Sequence, residues 1–315
     1  MIDYTEMIPC LLCGADRPVR IYDAPDRLMK IPGEFRIVRC GSCGLVYLSP
    51  RPTVAAIGSY YPEAYEPYLR ITPQSLPAWR RWLLNYGLRK RIRPIVQRKA
   101  PGRALDIGCA TGQFLAYLRD TAHWQVTGVE PGQNAARYAR ETFGLEVYHG
   151  DLRSAQFADA TFDAVTMWDV LEHLHDPCAE LREIRRVLRP EGLLVLRVPS
   201  LDSLDARIFG PYWAGLDVPR HMVVFSRRAL MQMLGQAGFI PERMWCASGS
   251  YFAFMLSWRM LVEDKVAAPR SQRVLDRLVN NVVLRALSTP YFWLVDQLGR
   301  GASLTVIARP VEQVS

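Results

Sequence analysis

From Arg103 onward the chain alternates short apolar runs with amphipathic segments of helical period, and this alternation narrows the possible folds more than any other feature. ALDI runs into Gly108-Cys-Ala-Thr-Gly112 and a helix through GQFLAYLRD. WQVTGVE is followed by a helix in QNAARYARETF. LEVYHGD, FDAVTMWD and GLLVLRV supply three more strands, with the helix PCAELREIRRVL between the last two. Asp176-Pro177 reads as an N-cap followed by proline at the first helical position. Strands separated by helices of about ten to fifteen residues predict an α/β fold with a parallel, doubly wound sheet. Ligands of such sheets sit at the carboxyl ends of the strands.

The acids at those strand ends are the candidate binding groups. Asp106 closes the first strand, and Gly108 and Gly112 let the backbone approach a ligand. Glu130 ends the second strand, where a carboxylate can accept both hydroxyls of a ribose. Asp151, after the third strand, is placed to accept the exocyclic amine of an adenine. A glycine turn alone is a weak signal. Glycine turn, ribose acid and adenine acid in this order are a strong one. A dehydrogenase would carry Gly-x-Gly-x-x-Gly at the turn, whereas this sequence has Gly-x-x-x-Gly.

LDIGCATGQF, GVEP, HGDL, FDAVTMWDVLEHLHDP and LRPEGLLVLRVPS resemble, in order and spacing, the motifs of class I S-adenosylmethionine-dependent methyltransferases. The resemblance covers residues 100–245 and the last strand, with Ala110 standing where the family usually has the middle of three alternating glycines. It implies a seven-stranded Rossmann-like sheet and S-adenosylmethionine as cofactor. It further implies that Asp106 and Gly108, in the turn with Ala110 and Gly112, line the methionine part. Glu130 would then hold the ribose, Asp151 with Leu152 would flank the adenine, and Trp168 and Asp169 would lie beside the methionine and the acceptor.

Two pairs, Cys10-Leu-Leu-Cys13-Gly14 and Cys40-Gly-Ser-Cys43-Gly44, precede this half. Two residues between cysteines let both thiolates face one ion, and the glycine frees the backbone to turn toward the sulfurs. Two such knuckles supply the four ligands of a closed, structural Zn2+ site in a small zinc-ribbon-like module. A module of this size lacks the core to fold alone, so the metal would stabilise it. Cys109, Cys178 and Cys246 read as small buried residues.

Charge is concentrated between these parts. Pro67 to Leu105 holds Arg70, Arg80, Arg81, Arg89, Lys90, Arg91, Arg93, Arg98, Lys99 and Arg103 with no acid, against a net charge of +8 for the whole chain. Trp79, Trp82, Leu83 and Tyr86 recur there at helical spacing. Two uses are open: an aromatic stripe packed on the domain, or an electrostatic dock for a phosphate-rich partner such as an anionic membrane, a diphosphate-linked lipid or a nucleic acid.

On the acceptor side, Asp169, Glu172 and His173 would share one face if WDVLEHLHDP turns helical. His221 lies between the fifth strand and the next helix, near the same strand ends. Three uses are open. His221 or His173 could be a general base for an acceptor hydroxyl, with Asp169 beside it. Asp169, Glu172, His173 and His221 could hold Mg2+ or Mn2+. Glu172 and His173 could brace the helix start. The second set resembles the Glu-x-x-Glu-His plus distant His of small-RNA terminal 2′-O-methyltransferases and related quinone O-methyltransferases, with Asp as the first acid here.

The 315 residues divide into a zinc-binding module (1–50), a Tyr/Pro connector with a basic helix (51–100) and a methyltransferase domain (101–315). A helical insertion spans about 250–300 before the last strand, as a substrate lid, a dimer surface or an apolar wall for a lipid tail. The first ten residues, MIDYTEMIPC, show no leader pattern, and no apolar run is long enough to span a bilayer. A cytoplasmic protein with peripheral contact at the inner face of the membrane is expected. The knuckles, SPRP…YYPEAY and VPRHMVVFSRRALMQMLGQAGF resemble bacterial methyltransferases with an N-terminal zinc module, which act in glycan or natural-product pathways. The expected function is O-methylation of a sugar hydroxyl on a nucleotide- or lipid-linked glycan or related natural product. A phenol or quinone O-methyltransferase, an RNA methyltransferase and a degenerate cofactor-binding scaffold are the alternatives.

Overall fold

The computed structural model describes residues 4–62, 76–246, 250–265 and 281–311. Of the Tyr/Pro connector expected from residue 51, residues 63–75 lie outside them. In chain order the elements begin with β1 (Thr5–Glu6), β2 (Pro18–Pro25), β3 (Glu34–Cys40), β4 (Val46–Leu48), β5 (Arg51–Pro52) and α1 (Val54–Ile57). The basic helix α2 (Ala78–Val96) leads into β6 (Arg103–Ile107), α3 (Gln113–Ala122), β7 (Gln125–Glu130), α4 (Gln133–Phe143), β8 (Glu146–His149) and β9 (Phe162–Trp168). Then come α5 (Pro177–Val187), β10 (Leu188–Pro199), α6 (Leu204–Phe209), β11 (Val223–Val224), α7 (Arg227–Gln236) and β12 (Phe239–Cys246). Two insertion helices, α8 (Ser250–Lys265) and α9 (Val282–Gln297), precede β13 (Ser303–Pro310). Side-chain caps fix several helix starts: Asp176 accepts from Ala179 N at 2.8 Å and Ser203 from Ala206 N at 3.1 Å.

The expected seven-stranded sheet forms in the order β12-β13-β10-β9-β6-β7-β8. Neighbours from β10 through β8 are parallel, and β13 is antiparallel to both β10 and β12. Strand order reverses between β6 and β9, which opens the crevice where such sheets bind ligands. Asp106 lies opposite Thr166 in that pair and opposite Gly128 in the next.

A second sheet, β11-β4-β3-β2, draws its fourth strand from the catalytic half, because Val223 and Val224 pair with Tyr47 and Val46. One face of it shares a core with the main sheet, Cys10, Leu12 and Tyr47 joining Leu171, Cys178 and Met222. Its other face packs Phe35 and Ile37 against Phe209, Trp213 and Leu216. The N-terminal sheet is therefore completed by a strand from beyond residue 50.

The aromatic stripe of α2 does not pack on the domain. Leu88, Ile92 and Ile95 are buried, and partly buried Leu84 joins the same core. Trp79, Trp82 and Tyr86 stand 50%, 65% and 49% exposed on the opposite side of the helix. Both sets have helical spacing, so periodicity located the helix without showing which face turns inward. In the insertion, α9 rests on α8 through Phe292 against Tyr251 and Phe254 and buries Val295, while Val283, Leu287, Tyr291, Leu294 and Leu298 remain exposed. No helix among the described residues is long and apolar enough to cross a membrane.

Candidate active site

The β6–α3 turn is shaped by backbone that side chains rarely adopt. Gly108 and Gly112 have φ of +67° and +80°, and Ala110 joins them at +47°. A Cβ on Gly108 would come within 2.6 Å of Val170, and one on Gly112 within 2.6 Å of Leu145. Ala110 N–H, brought round by this turn, donates to Glu130 Oε2 at 2.8 Å, and Gly132 N–H donates to Oε1 at 2.7 Å. Each carboxylate oxygen has a second lone pair for a ribose hydroxyl. Burial raises the Glu130 pKa. Asp106 is also buried, accepts from Thr166 Oγ1 at 2.5 Å, and is pushed up to about 7 by that burial. Asp151 lies exposed at the third strand end, where Ser154 donates through N at 2.7 Å and Oγ at 2.6 Å and holds its pKa low. Leu152 is fully buried in the core, so its side chain is not available to flank a ligand.

Trp168 forms a wall of the crevice. Its ring meets Phe114 edge-on at 5.5 Å, and its buried Nε1 has no acceptor among the described residues. Two guanidiniums cover it, Arg91 at 5.5 Å and Arg197 at 5.8 Å. Burial, with Arg197 nearby, pushes the Arg91 pKa down to about 10. Asp169, at φ +59°, turns back to Arg197, whose Nε donates to Oδ1 at 2.9 Å and to Oδ2 at 3.0 Å. The segment after it is a single 3-10 turn, Leu171–His173, rather than an α-helix. Asp169 is thereby separated from the face shared by Glu172 and His173.

Glu172, His173 and His221 do come together, with ligand atoms all within 4.8 Å of one another. His173 Nδ1 lies 3.1 Å from Arg220 O and 2.9 Å from Tyr61 Oη; with its proton on Nδ1 it donates to the carbonyl. His221 Nδ1 donates to Gly215 O at 2.9 Å. In these tautomers both Nε2 atoms keep their lone pairs. His221 Nε2 is 4.0 Å from Glu172 Oε1, and the rings of the two histidines meet at 4.5 Å. Both Glu172 carboxylate oxygens are buried without a hydrogen-bond partner among the described residues. Burial, reinforced by Asp169, holds the Glu172 pKa well above the carboxylate range. Such a group calls for a cation beside it, either an imidazolium or a metal ion.

The four cysteines of the knuckles form a second cluster, also with sulfurs within 4.8 Å of one another. Cys10 and Cys43 sulfurs are 3.4 Å apart and those of Cys13 and Cys40 3.5 Å, near the roughly 3.8 Å edge of a tetrahedron with Zn–S bonds of about 2.3 Å. Gly14 N–H and Gly44 N–H close the two turns on Cys10 O and Cys40 O at 2.8 and 3.0 Å. The cluster fits a small zinc-binding module.

A family model described as a methyltransferase domain matches residues 78–242, just over half of the chain. The chain belongs to this methyltransferase family. Among curated proteins it is 37% identical over 111 residues to an uncharacterized 37.1 kDa protein in a transposon of Streptomyces fradiae, covering 33% of this chain and 32% of that one. It is 31% identical over 113 residues to demethylmenaquinone methyltransferase of Staphylococcus haemolyticus, covering 34% and 47%. The chain spans about a third to a half of the length of the first curated relatives it matches. Among solved structures, the [4+2]-cyclase SpnF superposes with a TM-score of 0.53 at 20% identity over 84% of this chain and 99% of that one. A Galdieria sulphuraria protein assigned as a candidate sarcosine dimethylglycine methyltransferase gives 0.50 at 15% identity, covering 78% and 92%. These two likenesses show the fold.

In this methyltransferase-family chain the structure gathers Asp106, Gly108, Ala110, Gly112 and Glu130 at one end of the sheet, with Trp168 beside the switch point. Sequence reading missed Arg91, Arg197 and Tyr61, which reach the site from α2, from β10 and from the segment after α1. Arg91 stood in plain view as one cation of a basic run, with nothing in that run to separate it from its outward-facing neighbours.

Proposed function

We propose that the protein transfers a methyl group from S-adenosylmethionine to an oxygen acceptor, a sugar hydroxyl of a nucleotide- or lipid-linked glycan. Because a cyclase shares the fold, the reading rests on the site. The observation that carries it is the pair of buried acids, Asp106 and Glu130, at adjacent strand ends around a glycine turn too tight for a Cβ, with a second, separate group of Glu172, His173 and His221 on the acceptor side. The residues suit the donor: Glu130 has lone pairs for the ribose hydroxyls, the Trp168 Nε1–H has no acceptor among the described residues, and Arg91 offers its guanidinium to the donor's carboxylate. Bound there, S-adenosylmethionine supplies a methyl carried on a sulfonium.

The chain's task is alignment, which is worth about 7–11 kcal/mol of a barrier when the geometry is right. His221 Nε2 would take the acceptor hydroxyl's proton as its oxygen gains the methyl group, and Glu172, 4.0 Å away, would ionise more readily beside the imidazolium so formed. The test is incubation with methyl-labelled S-adenosylmethionine and an extract of the host lacking the gene, followed by separation of lipid, soluble glycan, RNA and protein. Label in the lipid-linked or soluble glycan fraction, lost in Asp106→Ala and in His221→Ala, supports the reading. Label in RNA, or in a quinone as the names of the staphylococcal relatives suggest, overturns the glycan assignment.

A second reading is favoured by the Glu172 oxygens, unpartnered among the described residues: a divalent ion held by Glu172, His173 and His221. Histidines whose Nδ1–H groups are fixed on backbone carbonyls are oriented as metal ligands commonly are. Asp169, committed to Arg197, is left out of that set. Full transfer activity after chelation, with the cysteine site still loaded, would exclude it.

A further inference from the structure

The outward face of α2 is built unlike the rest of the surface. Trp79, Trp82 and Tyr86 line its first turns at three- and four-residue spacing, and Trp82 stacks on Tyr86 at 5.7 Å. Arg89, Lys90 and Arg93 continue the same side of the helix, and Arg80 and Arg81 flank the indoles. All five cations are exposed and none forms an ion pair among the described residues. Within Pro67 to Leu105 there is no acid to neutralise them. Lys90 Nζ instead lies 4.7 Å from the Tyr86 ring, and the Arg80 guanidinium 5.1 Å from Trp79.

We propose that this face of α2 docks on anionic lipid headgroups, with the indoles and phenol at headgroup depth and the arginines and lysine on the phosphates. Tryptophan and tyrosine settle at the membrane–water interface because an apolar ring and a polar edge are satisfied there together. Long basic side chains bury their stems along the same boundary while their heads stay with the phosphates. A helix with aromatic and basic side chains interleaved on one face lies flat in that boundary, at about fivefold in partitioning for each basic residue near the surface. The opposite face, Leu84, Leu88, Ile92 and Ile95, is already committed to the domain core, so docking needs no refolding. The same helix carries Arg91 into the crevice beside Trp168, which holds the site at a fixed distance from the surface on which α2 rests.

The experiment is cosedimentation of the full chain with vesicles of equal parts phosphatidylglycerol and phosphatidylcholine, and with phosphatidylcholine alone, at about 50 mM salt, where the Debye length still exceeds 10 Å. The expected result is pelleting with the anionic vesicles only, reversed by high salt. A double variant Trp79→Ser/Trp82→Ser should bind at least tenfold more weakly, and Arg89→Glu/Arg93→Glu should not pellet at all. Because these side chains are exposed, both variants should keep the wild-type melting curve, which separates lost docking from lost folding. Failure to pellet with anionic vesicles, equal binding to neutral ones, or wild-type binding by both folded variants would overturn the proposal. Protection of RNA by the wild type without vesicle binding would replace it with nucleic-acid recognition. The readout involves no methyl transfer, so its failure and failure of the enzymatic reading are told apart.

Discussion

Asp106 is the residue whose position is hardest to explain by stability. Its carboxyl is enclosed by the sheet, Thr166 is its hydrogen-bond partner, and burial raises its pKa from 3.8 to about 7. A carboxyl that titrates near 4 in the unfolded chain and near 7 in the folded one stabilises the fold, relative to its ionised form, below pH 4. That contribution is lost as pH rises through 7, to a limit of roughly 4 kcal/mol. Asp106→Asn cannot ionise and still offers Thr166 an acceptor. Its melting temperature, followed by circular dichroism, should therefore match the wild type near pH 4 and exceed it by pH 8. Donor binding by calorimetry at pH 8 should meanwhile weaken at least tenfold. A variant no more stable than wild type at pH 8 would mean that the carboxyl is ionised in the fold at little cost. Arg91 fits the same picture, since its charge acts to lower the Asp106 pKa, and a donor's carboxylate would complete the charge balance.

At the scale of elements, the four-cysteine module and the cluster of Glu172, His173 and His221 are one construction. His221 lies two residues before β11, and β11 is held by β4, whose neighbour β3 ends at Cys40 of the cysteine cluster. Leu48 N–H reaches Met222 O at 2.9 Å, and Met222 N–H reaches Glu172 O at 2.8 Å, so the second sheet is bonded through to Glu172. If the four cysteines hold Zn2+, removing it with a strong chelator should loosen this sheet first, because four thiolates then lose the ion that links two turns. The expected outcome is loss of transfer activity before loss of donor binding, with added Zn2+ restoring both. Equal loss of the two would place the module's role in global stability alone. This linkage was not legible in the sequence. Cys10, Cys13, Cys40 and Cys43 announce a metal through local spacing, whereas the pairing of Val223 with Tyr47 spans 176 positions and has no local signature. Asp106, Glu130 and Asp151 were legible for the converse reason, since each ends a strand that local pattern can find. The place of Asp169 and the face of α2 that turns inward were left open by the sequence because a left-handed turn and the inward face of a helix are settled by packing, not by spacing.

Across the whole molecule, the two halves are pinned by a buried ion pair. Arg220 and Asp26 are both wholly enclosed, Nη1 and Nη2 donating to the two carboxylate oxygens at 2.8 and 2.7 Å. Asp217 takes Nε at 3.1 Å, and Tyr60 O takes Nη1 at 3.1 Å. Asp26 belongs to the loop after β2, and Arg220 stands beside His221, so the pair joins the zinc-binding half to the acceptor side. A buried pair of this kind adds little over an apolar substitute, but breaking it strands a charge, at about 3–5 kcal/mol. Arg220→Met should therefore lower stability by that amount, and Asp26→Asn added to it should recover part of the loss, since Leu28 N–H and Met29 N–H still find Asn Oδ1. With the apolar core running unbroken from Cys10 to Met222, the wild type should melt in one transition. Release of metal to a colorimetric chelator and the far-UV signal should then coincide. Two separated transitions in the wild type would show that the halves fold independently and that the pair merely aligns them. A single transition that splits only in Arg220→Met would show that this one guanidinium couples metal site to catalytic half.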